Sequence, residues 1–337
     1  MKKCILLSLG FICSLTLTAQ ENLNDLLAAG VSDAKKFSTD YLLPATDGLA
    51  YGVSAGWFNN AKTSKKYGFE LSIIGNATFI KDESKSFTLN VSDYENIRFP
   101  DNAPSKSVAT ALGHNDPDIT IIVTYDDPIF GNQEVELTLP TGIGAANVNL
   151  IPTAFLQGSF SVFKGTQLKA RFFPKVETED AKIGLYGVGL QQEFTAWLPE
   201  ESKFPLAISG LIAYTHLDGN YDFTNTEIID GEDQQVQTKL NSLLFQVIAG
   251  TNFKVFNVYG SLGYLSAKST TDLLGTYRVS NGILFSEEIV DPFSVESETN
   301  GVTATFGGNL KLGFFGLNAS YTFAEFDAAS IGINFIF

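Results

Sequence analysis

The C-terminal end of the chain alternates between apolar and small polar residues, and this period limits the fold more than any other feature. Val302, Ala304, Phe306, Leu310 and Leu312 oppose Thr303, Thr305, Asn309 and Lys311. Phe315, Leu317, Ala319, Tyr321 and Phe323 oppose Gly316, Asn318, Ser320 and Thr322. Ala329, Ile331, Ile333, Phe335 and Phe337 oppose Ser330, Gly332 and Asn334. Successive strand residues point to opposite faces, so each segment has one apolar side and one small, polar side. A β-sandwich also alternates, but its outer face should be rich in Lys and Glu. Here that face is Gly, Ser, Thr and Asn, which suits the crowded interior of a barrel whose apolar face meets lipid.

The same period appears at Leu49, Tyr51, Val53, Ala55 and Trp57, and again at Tyr67, Phe69, Leu71 and Ile73. Further strands are predicted at 84–91, 153–163, 167–176, 183–197, 205–217, 240–254 and 256–269. Two weaker candidates, 119–125 and 134–139, are shorter than the roughly 9–11 residues needed to cross a bilayer obliquely. They form either a hairpin above the membrane or two more wall strands, giving about 12 or about 14 strands, even in both cases as single-chain barrels require. The predicted fold is all-β: an antiparallel transmembrane β-barrel over 49–337, with a short N-terminal helix over 20–48 as cap or plug. That helix is read from Leu23, Leu26, Leu27, Val31, Ala34 and Phe37, and is expected to end at Pro44.

Connection lengths point the same way. Counting back from Phe337 on the periplasmic side, Lys311–Phe314, Phe253–Asn257, Pro199–Phe204 and Lys164–Thr166 fall below the membrane and are short. Thr270–Asn300, Asp218–Thr238 and Val91–Pro117 fall outside and are long, the asymmetry expected of this architecture. Aromatics at strand ends, among them Trp197, Phe253 and Phe314 below and Tyr214, Tyr264 and Phe323 above, read as interfacial girdles.

Composition fixes the compartment and removes several chemistries. Lys2 and Lys3, the apolar run Ile5–Leu17 and Ala19 read as a secretory signal peptide over 1–19, too short to span a bilayer as a helix. Ile12 before Cys13 breaks a lipobox. Cys4 and Cys13, the two cysteines, leave with the signal, so disulfides, thiolate chemistry and Cys-based zinc sites are excluded. Loss of Lys2 and Lys3 takes the formal charge from −15 to −17, which disfavours nucleic acid as a partner. Charged residues make up 18% of the chain, against about 25% in soluble proteins. No stretch after residue 20 is apolar for long enough to cross as a helix, so the apolar surface must lie on strands. The expected location is the cell outer membrane, with its lipid and lipopolysaccharide as partners.

Gly332, Phe335 and Phe337 form an ending that resembles the β-signal of outer-membrane barrels: a glycine, then hydrophobic positions three and five residues on, with a terminal aromatic. The resemblance implies recognition by the barrel-assembly machinery. The segment Asp47-Gly48-Leu49 through Gly56-Trp57-Phe58-Asn59-Asn60-Ala61-Lys62, then Gly68-Phe69-Glu70-Leu71, is similar to an uncharacterised Bacteroidota family of exported barrels. So is Leu317-Asn318-Ala319-Ser320-Tyr321-Thr322-Phe323-Ala324-Glu325-Phe326. That family brings no reaction or ligand. A fainter similarity, to the long-chain fatty-acid transporters of the outer membrane, implies an N-terminal hatch and a hydrophobic small-molecule ligand. Their Asn-Pro-Ala turn is matched here only by Asn60-Ala61, without the proline.

Candidate chemistry is sparse. Glu70, Lys169, Arg171, Glu193 and Lys311 are predicted to face the lumen, because a one-residue slip would turn each to lipid. Their mixed signs argue against an ion-selective ring and for pairing across the lumen. His114 and His216 lie near Asp116 and Asp218 in predicted external regions. A His–Asp pair at a rim suits general-base chemistry, but no serine motif accompanies either, and the chain is read as non-enzymatic. Asp218-Gly219-Asn220-Tyr221-Asp222 resembles the first half of a calcium loop, but position twelve is Ile229, and the loop is read as solvated, with divalent bridging to lipopolysaccharide as an option. Gly184, Gly187 and Gly189 are read as aids to strand curvature. No cofactor or metal is implied. Two functions are expected: a channel or transporter for small hydrophobic molecules, or a structural or surface-interaction barrel without transport.

Overall fold

The computed structural model describes residues 26–27, 29–127, 131–178, 181–199, 205–222, 231–280 and 286–337. The expected signal peptide and Leu23 lie outside these residues. One helix, α1, spans Val31–Ser54. After it come β1 (Phe69–Phe79), β2 (Ser86–Asn90), β3 (Ile97–Arg98), β4 (Ser105–Ala109), β5 (Thr120–Asp127), β6 (Gly131–Thr138), β7 (Leu150–Phe163) and β8 (Thr166–Glu177). Then follow β9 (Ala181–Glu193), β10 (Leu206–Asp222), β11 (Gly231–Thr251), β12 (Phe256–Ser280), β13 (Ser286–Val290), β14 (Phe293–Leu312), β15 (Phe315–Phe323) and β16 (Ala328–Ile336).

Ten of these strands close into an antiparallel barrel in the order β1, β7, β8, β9, β10, β11, β12, β14, β15, β16. The β11–β12 ladder and the seam between β1 and β16 complete the ring, the seam pairing Glu70 with Ile336 through to Thr78 with Ala328. Phe337 extends the seam by exchanging both backbone hydrogen bonds with Phe69. Closure leaves no unpaired edge in the ten-stranded ring, which strands rich in apolar residues require.

The alternation takes the register expected. Along β1, Glu70, Ser72, Ile74, Asn76 and Thr78 are buried while Phe69, Leu71, Ile73 and Phe79 are exposed. In the last strands Thr303, Thr305, Asn309, Asn318, Thr322, Ser330 and Asn334 are buried, and Val302, Phe306, Leu317, Phe323, Ile331 and Ile333 are exposed. Small polar side chains meet at short range inside: Ser72 donates to Asn334 Oδ1 at 2.7 Å, and Asn334 to Asn318 Oδ1 at 2.7 Å.

The strand number differs from the expected 12–14 for two reasons. The period-two run Leu49–Trp57 is largely helix, because α1 continues ten residues past Pro44. A segment enclosed on all sides buries apolar residues at any spacing, so period two and period 3.6 both fit it. Pro44 deprives the Asp40 carbonyl of its helical donor, yet packing on every side holds the axis. The expected 20–48 boundary therefore moves: the helix ends at Ser54 and the wall starts at Phe69. The second reason is the connection 80–149. Its predicted strand at 84–91 becomes β2, which pairs only with β4, and 119–125 and 134–139 become a β5–β6 hairpin joined by β3.

The connections 164–165, 194–205, 252–255 and 313–314 lie at one end of the barrel, hereafter the short-turn end. At the opposite end 80–149 folds into a cap. Two of the expected long loops there are mostly strand instead: β10 runs to Asp222 and β12 to Ser280, as hairpin ladders beyond the apolar belt. Asp218, Asn220 and Asp222 thus lie in a paired strand rather than a calcium-type loop.

Candidate functional site

The lumen is the place where a barrel does its work, and here α1 and the segment after it run through it from one end to the other. At the cap end, the buried Asp33 carboxylate accepts the backbone N–H of Glu95 at 3.1 Å and of Asn96 at 2.9 Å. Asn96 returns a bond to the Ala29 carbonyl at 2.8 Å. Phe37 and Tyr41 stack at 5.8 Å and pack with Leu89, Phe99, Val123, Leu137, Tyr221, Leu273 and Tyr277. This cluster joins the helix, the cap and the tall hairpins into one body.

Further down, the helix approaches the wall closely. Asp47 accepts from the hydroxyls of Thr299 and Ser297 on β14. A Cβ on Gly48 would sit 2.6 Å from Ile151 Cδ1, and one on Gly52 2.8 Å from Thr78 Oγ1, so this face of α1 lies close against wall side chains that a larger residue would displace. The Gly52 carbonyl accepts from Asn76 Nδ2 at 3.0 Å and Thr153 Oγ1 at 3.1 Å. Ser54 Oγ meets Ser242 Oγ at 3.0 Å. One cavity beside the helix, lined by the described residues Tyr51, Phe58, Leu244, Gln246, Thr305 and Phe326, measures about 20 Å³. That volume holds about one water.

Below Ser54 the chain is pinned by inward-facing side chains of β7, β8 and β9. Trp57, 1% exposed, lies between the wall glycines Gly187 and Gly189 and the Arg171 guanidinium, whose Cζ is 4.0 Å from the indole centroid. A Cβ on either glycine would stand 3.0–3.1 Å from that indole, so both glycines serve close approach rather than the expected curvature. The other face of Arg171 covers Phe155 at 4.2 Å. Its Nη1 donates to the Val53 carbonyl at 2.8 Å, and Nε and Nη2 donate to Gln157 Oε1 at 3.3 and 3.2 Å. Val53 is in the last turn of α1, where carbonyls lack helical partners and the dipole is negative, so the guanidinium caps the helix.

The five side chains expected in the lumen are placed as follows. Glu70 accepts from Asn59 Nδ2 at 2.6 Å and Ser72 Oγ at 3.3 Å. Lys169 is buried in the same cross-strand row as Glu70 and Ser159. Arg171 holds Val53 and Trp57. Glu193 Oε2 accepts from the Thr63 backbone and hydroxyl, both at 2.9 Å. Lys311 is half-buried on β14. Among the described residues no ion pair joins any two of them, and the expected pairing reduces to the electrostatic reach of Glu70 to Lys169 and Lys311. The plug occupies the axis, and Glu70, Arg171 and Glu193 spend their hydrogen bonds on it.

Residues outside that set complete the lock. Gln157 Nε2 donates to the Trp57 carbonyl at 3.3 Å, and Gln191 Nε2 to the Asn60 carbonyl at 2.9 Å. The signal for them was present in the sequence as inward-facing Gln opposite a Gly-Trp-Phe-Asn-Asn segment, but alternation alone cannot say what an inward amide meets.

The remaining candidates lie elsewhere. His216 faces outward, its ring 5.0 Å from Tyr186 and its Nδ1 2.8 Å from Asn241 Oδ1, so an amide takes the place expected of a carboxylate. His114 lines an open cleft in the cap with Asp116 and Asp118. No group of three or more His, Cys, Asp or Glu among the described residues is placed to hold a metal. Of the assembly-signal residues, Gly332 faces inward against Asn318, Phe335 packs on Phe315 at 6.0 Å, and Phe337 is 72% exposed beside Phe69.

Residues 1–337 match the family described as "Family of unknown function (DUF6588)". No curated protein matches the sequence. Solved structures similar to this chain are outer-membrane β-barrels. Ail, the attachment invasion locus protein of Yersinia pestis, is 9% identical, with 81% of this chain and 100% of that chain covered and a TM-score of 0.23. The translocator domain of autotransporter NalP from Neisseria meningitidis is 10% identical, with 82% and 89% covered and a TM-score of 0.28. A Pseudomonas aeruginosa FadL homologue is 8% identical, with 80% and 89% covered and a TM-score of 0.21. Likeness at this level carries no functional weight, and the barrel stands on the strand pairing of the chain itself.

Proposed function

The chain belongs to the DUF6588 family, whose description assigns no function, and from that premise we propose that it is an integral outer-membrane barrel sealed by its own helix, whose cap serves surface interaction rather than transport. The observation that carries this reading is the filled axis. Residues 31–68 run the length of the lumen, hydrogen-bonded to the wall at each level, and the cavity that described residues line beside the helix is about 20 Å³. A conduit for small hydrophobic molecules needs several hundred Å³ of apolar space, roughly 300 or more for a drug-sized ligand.

Membrane residence is supported by the outward face. Leu71, Ile73, Leu156, Leu190, Val247, Leu262, Val302 and Ile331 are 39–68% exposed, and the other outward positions continue the belt around the ring. Soluble monomers rarely expose contiguous apolar patches above about 300–600 Å². With the short-turn end towards the periplasm, as barrels of this class are oriented, the cap faces the exterior. Its exposed carboxylates, among them Asp82, Glu83, Asp93, Glu95, Glu134 and Glu136, suit a cationic partner or lipopolysaccharide phosphates bridged by divalent ions. The barrel-assembly machinery is the partner in biogenesis. Among the described residues no catalytic constellation favours an enzyme.

Planar-bilayer recording with the purified protein tests the reading. Wild type is expected to give no conductance steps, and vesicles carrying it are expected to take up labelled fatty acid no faster than protein-free ones. Ohmic steps or protein-dependent uptake would overturn it.

A further inference from the structure

Among the described residues the exposed carboxylates lie at the cap end of the barrel and on its tall hairpins, whereas lysines occur at both ends. Among the described residues the short-turn end holds two carboxylates, Glu70 and Glu193. Both are buried, and both are occupied by Asn59, Ser72, Thr63 and Thr195. The same end exposes Lys62, Lys65, Lys66, Lys164 and Lys254. Among the described residues, an acidic protein of formal charge −15 thus presents a collar of ammonium groups at one rim; Glu200, Glu201 and Lys203 lie outside those residues.

The collar coincides with the aromatic girdle. Lys66 precedes Tyr67, Lys164 follows Phe163 and Lys254 follows Phe253, and these three rings are 62–69% exposed. Lys66 Nζ lies 4.7 Å from the Tyr67 ring centroid. Exposed aromatic rings sit at headgroup depth, which places the adjacent ammonium groups at the level of lipid phosphates. Lys62, Lys65, Lys66 and Lys164 also converge on an open cleft of about 380 Å³ between the 62–66 segment and residues 195–199 and 206–207. The buried Glu193 shapes this cleft by holding Thr63, which turns the lysine-bearing segment outward.

We propose that this rim is a binding site for the phosphate headgroups of anionic phospholipids in the leaflet it faces, with the cleft seating one headgroup and Lys254 extending the collar. The inference rests on the membrane reading above. Basic clusters beside a membrane-spanning element gain affinity for anionic lipid with each added lysine. The girdle selects lipid over a free anion, because a soluble phosphate has no acyl chain to lay against Tyr67 and Phe163.

The test is native mass spectrometry of the full chain released from bilayers of phosphatidylcholine and phosphatidylglycerol. Wild type is expected to retain phosphatidylglycerol in preference to phosphatidylcholine by on the order of tenfold or more. The K65Q/K66Q/K164Q/K254Q variant is expected to retain both in the bulk ratio, and K81Q/K85Q, at the cap end, to behave as wild type. Equal retention by wild type, or an unchanged preference in the quadruple variant, overturns the proposal. Displacement of the lipid by millimolar inorganic phosphate would also overturn it, by showing a site for free anions. Vesicle flotation separates the two readings. A chain that does not float with vesicles refutes the membrane reading, whereas one that floats without lipid preference refutes this inference alone.

Discussion

Replacing Arg171 by Ala should loosen the lower half of the plug while leaving the barrel closed. The guanidinium is 1% exposed and has no carboxylate partner, so docking the plug over it desolvates a charge at a cost of several kcal/mol. Against that stand hydrogen bonds to Val53 and Gln157, at about 1.5–3 kcal/mol each for a charged donor, and two ring faces at 4.0 and 4.2 Å, worth about 2 kcal/mol where water is excluded. The C-terminal dipole of α1 adds up to about 1 kcal/mol. The favourable side exceeds the cost by roughly 3 kcal/mol, about two orders of magnitude in a local opening equilibrium. Hydrogen exchange of peptides covering 50–60 should therefore quicken by about 10²-fold in R171A, with residues 31–40 unchanged because their cluster is separate. R171K keeps the charge but loses the flat stack, and should fall between the two. If exchange over 50–60 is unchanged or slower in R171A, the desolvation cost has won and the capping argument fails.

Gly187→Val places methyl groups against the Trp57 indole and the Tyr214 carbonyl, and should cost about 1–3 kcal/mol by overpacking, read from denaturant unfolding in detergent. Leu262→Arg, at a position 68% exposed on the outer wall, should reduce folding into vesicles by about 2–4 kcal/mol, whereas a soluble fold would be indifferent to it. Asp33→Ala leaves the N–H groups of Glu95 and Asn96 without their acceptor, at about 1–3 kcal/mol, and should expose the 90–100 segment to limited proteolysis. Unchanged cleavage would show that the apolar cluster alone holds the cap.

The wall was legible in the sequence because lipid imposes a rule on every second residue. The faces of Val302–Leu312 and of Ala328–Ile336, and the inward direction of Glu70, Lys169, Arg171 and Glu193, follow from that rule. The plug was legible only in part. Leu49–Trp57 alternates as cleanly as the wall strands, and nothing local says that its Gly and Ser residues face a surrounding barrel rather than its own neighbours on a sheet. The long connections misled for a related reason. Asp218–Asp222 is polar because it stands above the lipid, and polarity reads as loop even where the ladder continues. The bonds of Arg171 to the Val53 carbonyl and of Gln191 to the Asn60 carbonyl were out of reach, because backbone atoms leave no mark in a sequence.

The direction of the plug has a consequence of its own. Residue 26 lies in the cap cluster, Lys62 at the opposite rim, and the ring of strands encircles everything between them. The thread is anchored at the cap end by Asp33 and its cluster and at the other by continuity with β1. It cannot slide out towards the short-turn end without breaking the Asp33 bonds and the apolar cluster that hold it to 80–149. Because α1 and β1 are consecutive and antiparallel, the ring need not be threaded at all. The sheet can curl around a helix already lying against β1 and join β16 to it last. Opening that seam is then the way to free the helix with the cap intact, which makes the plug an axle within the barrel rather than a door.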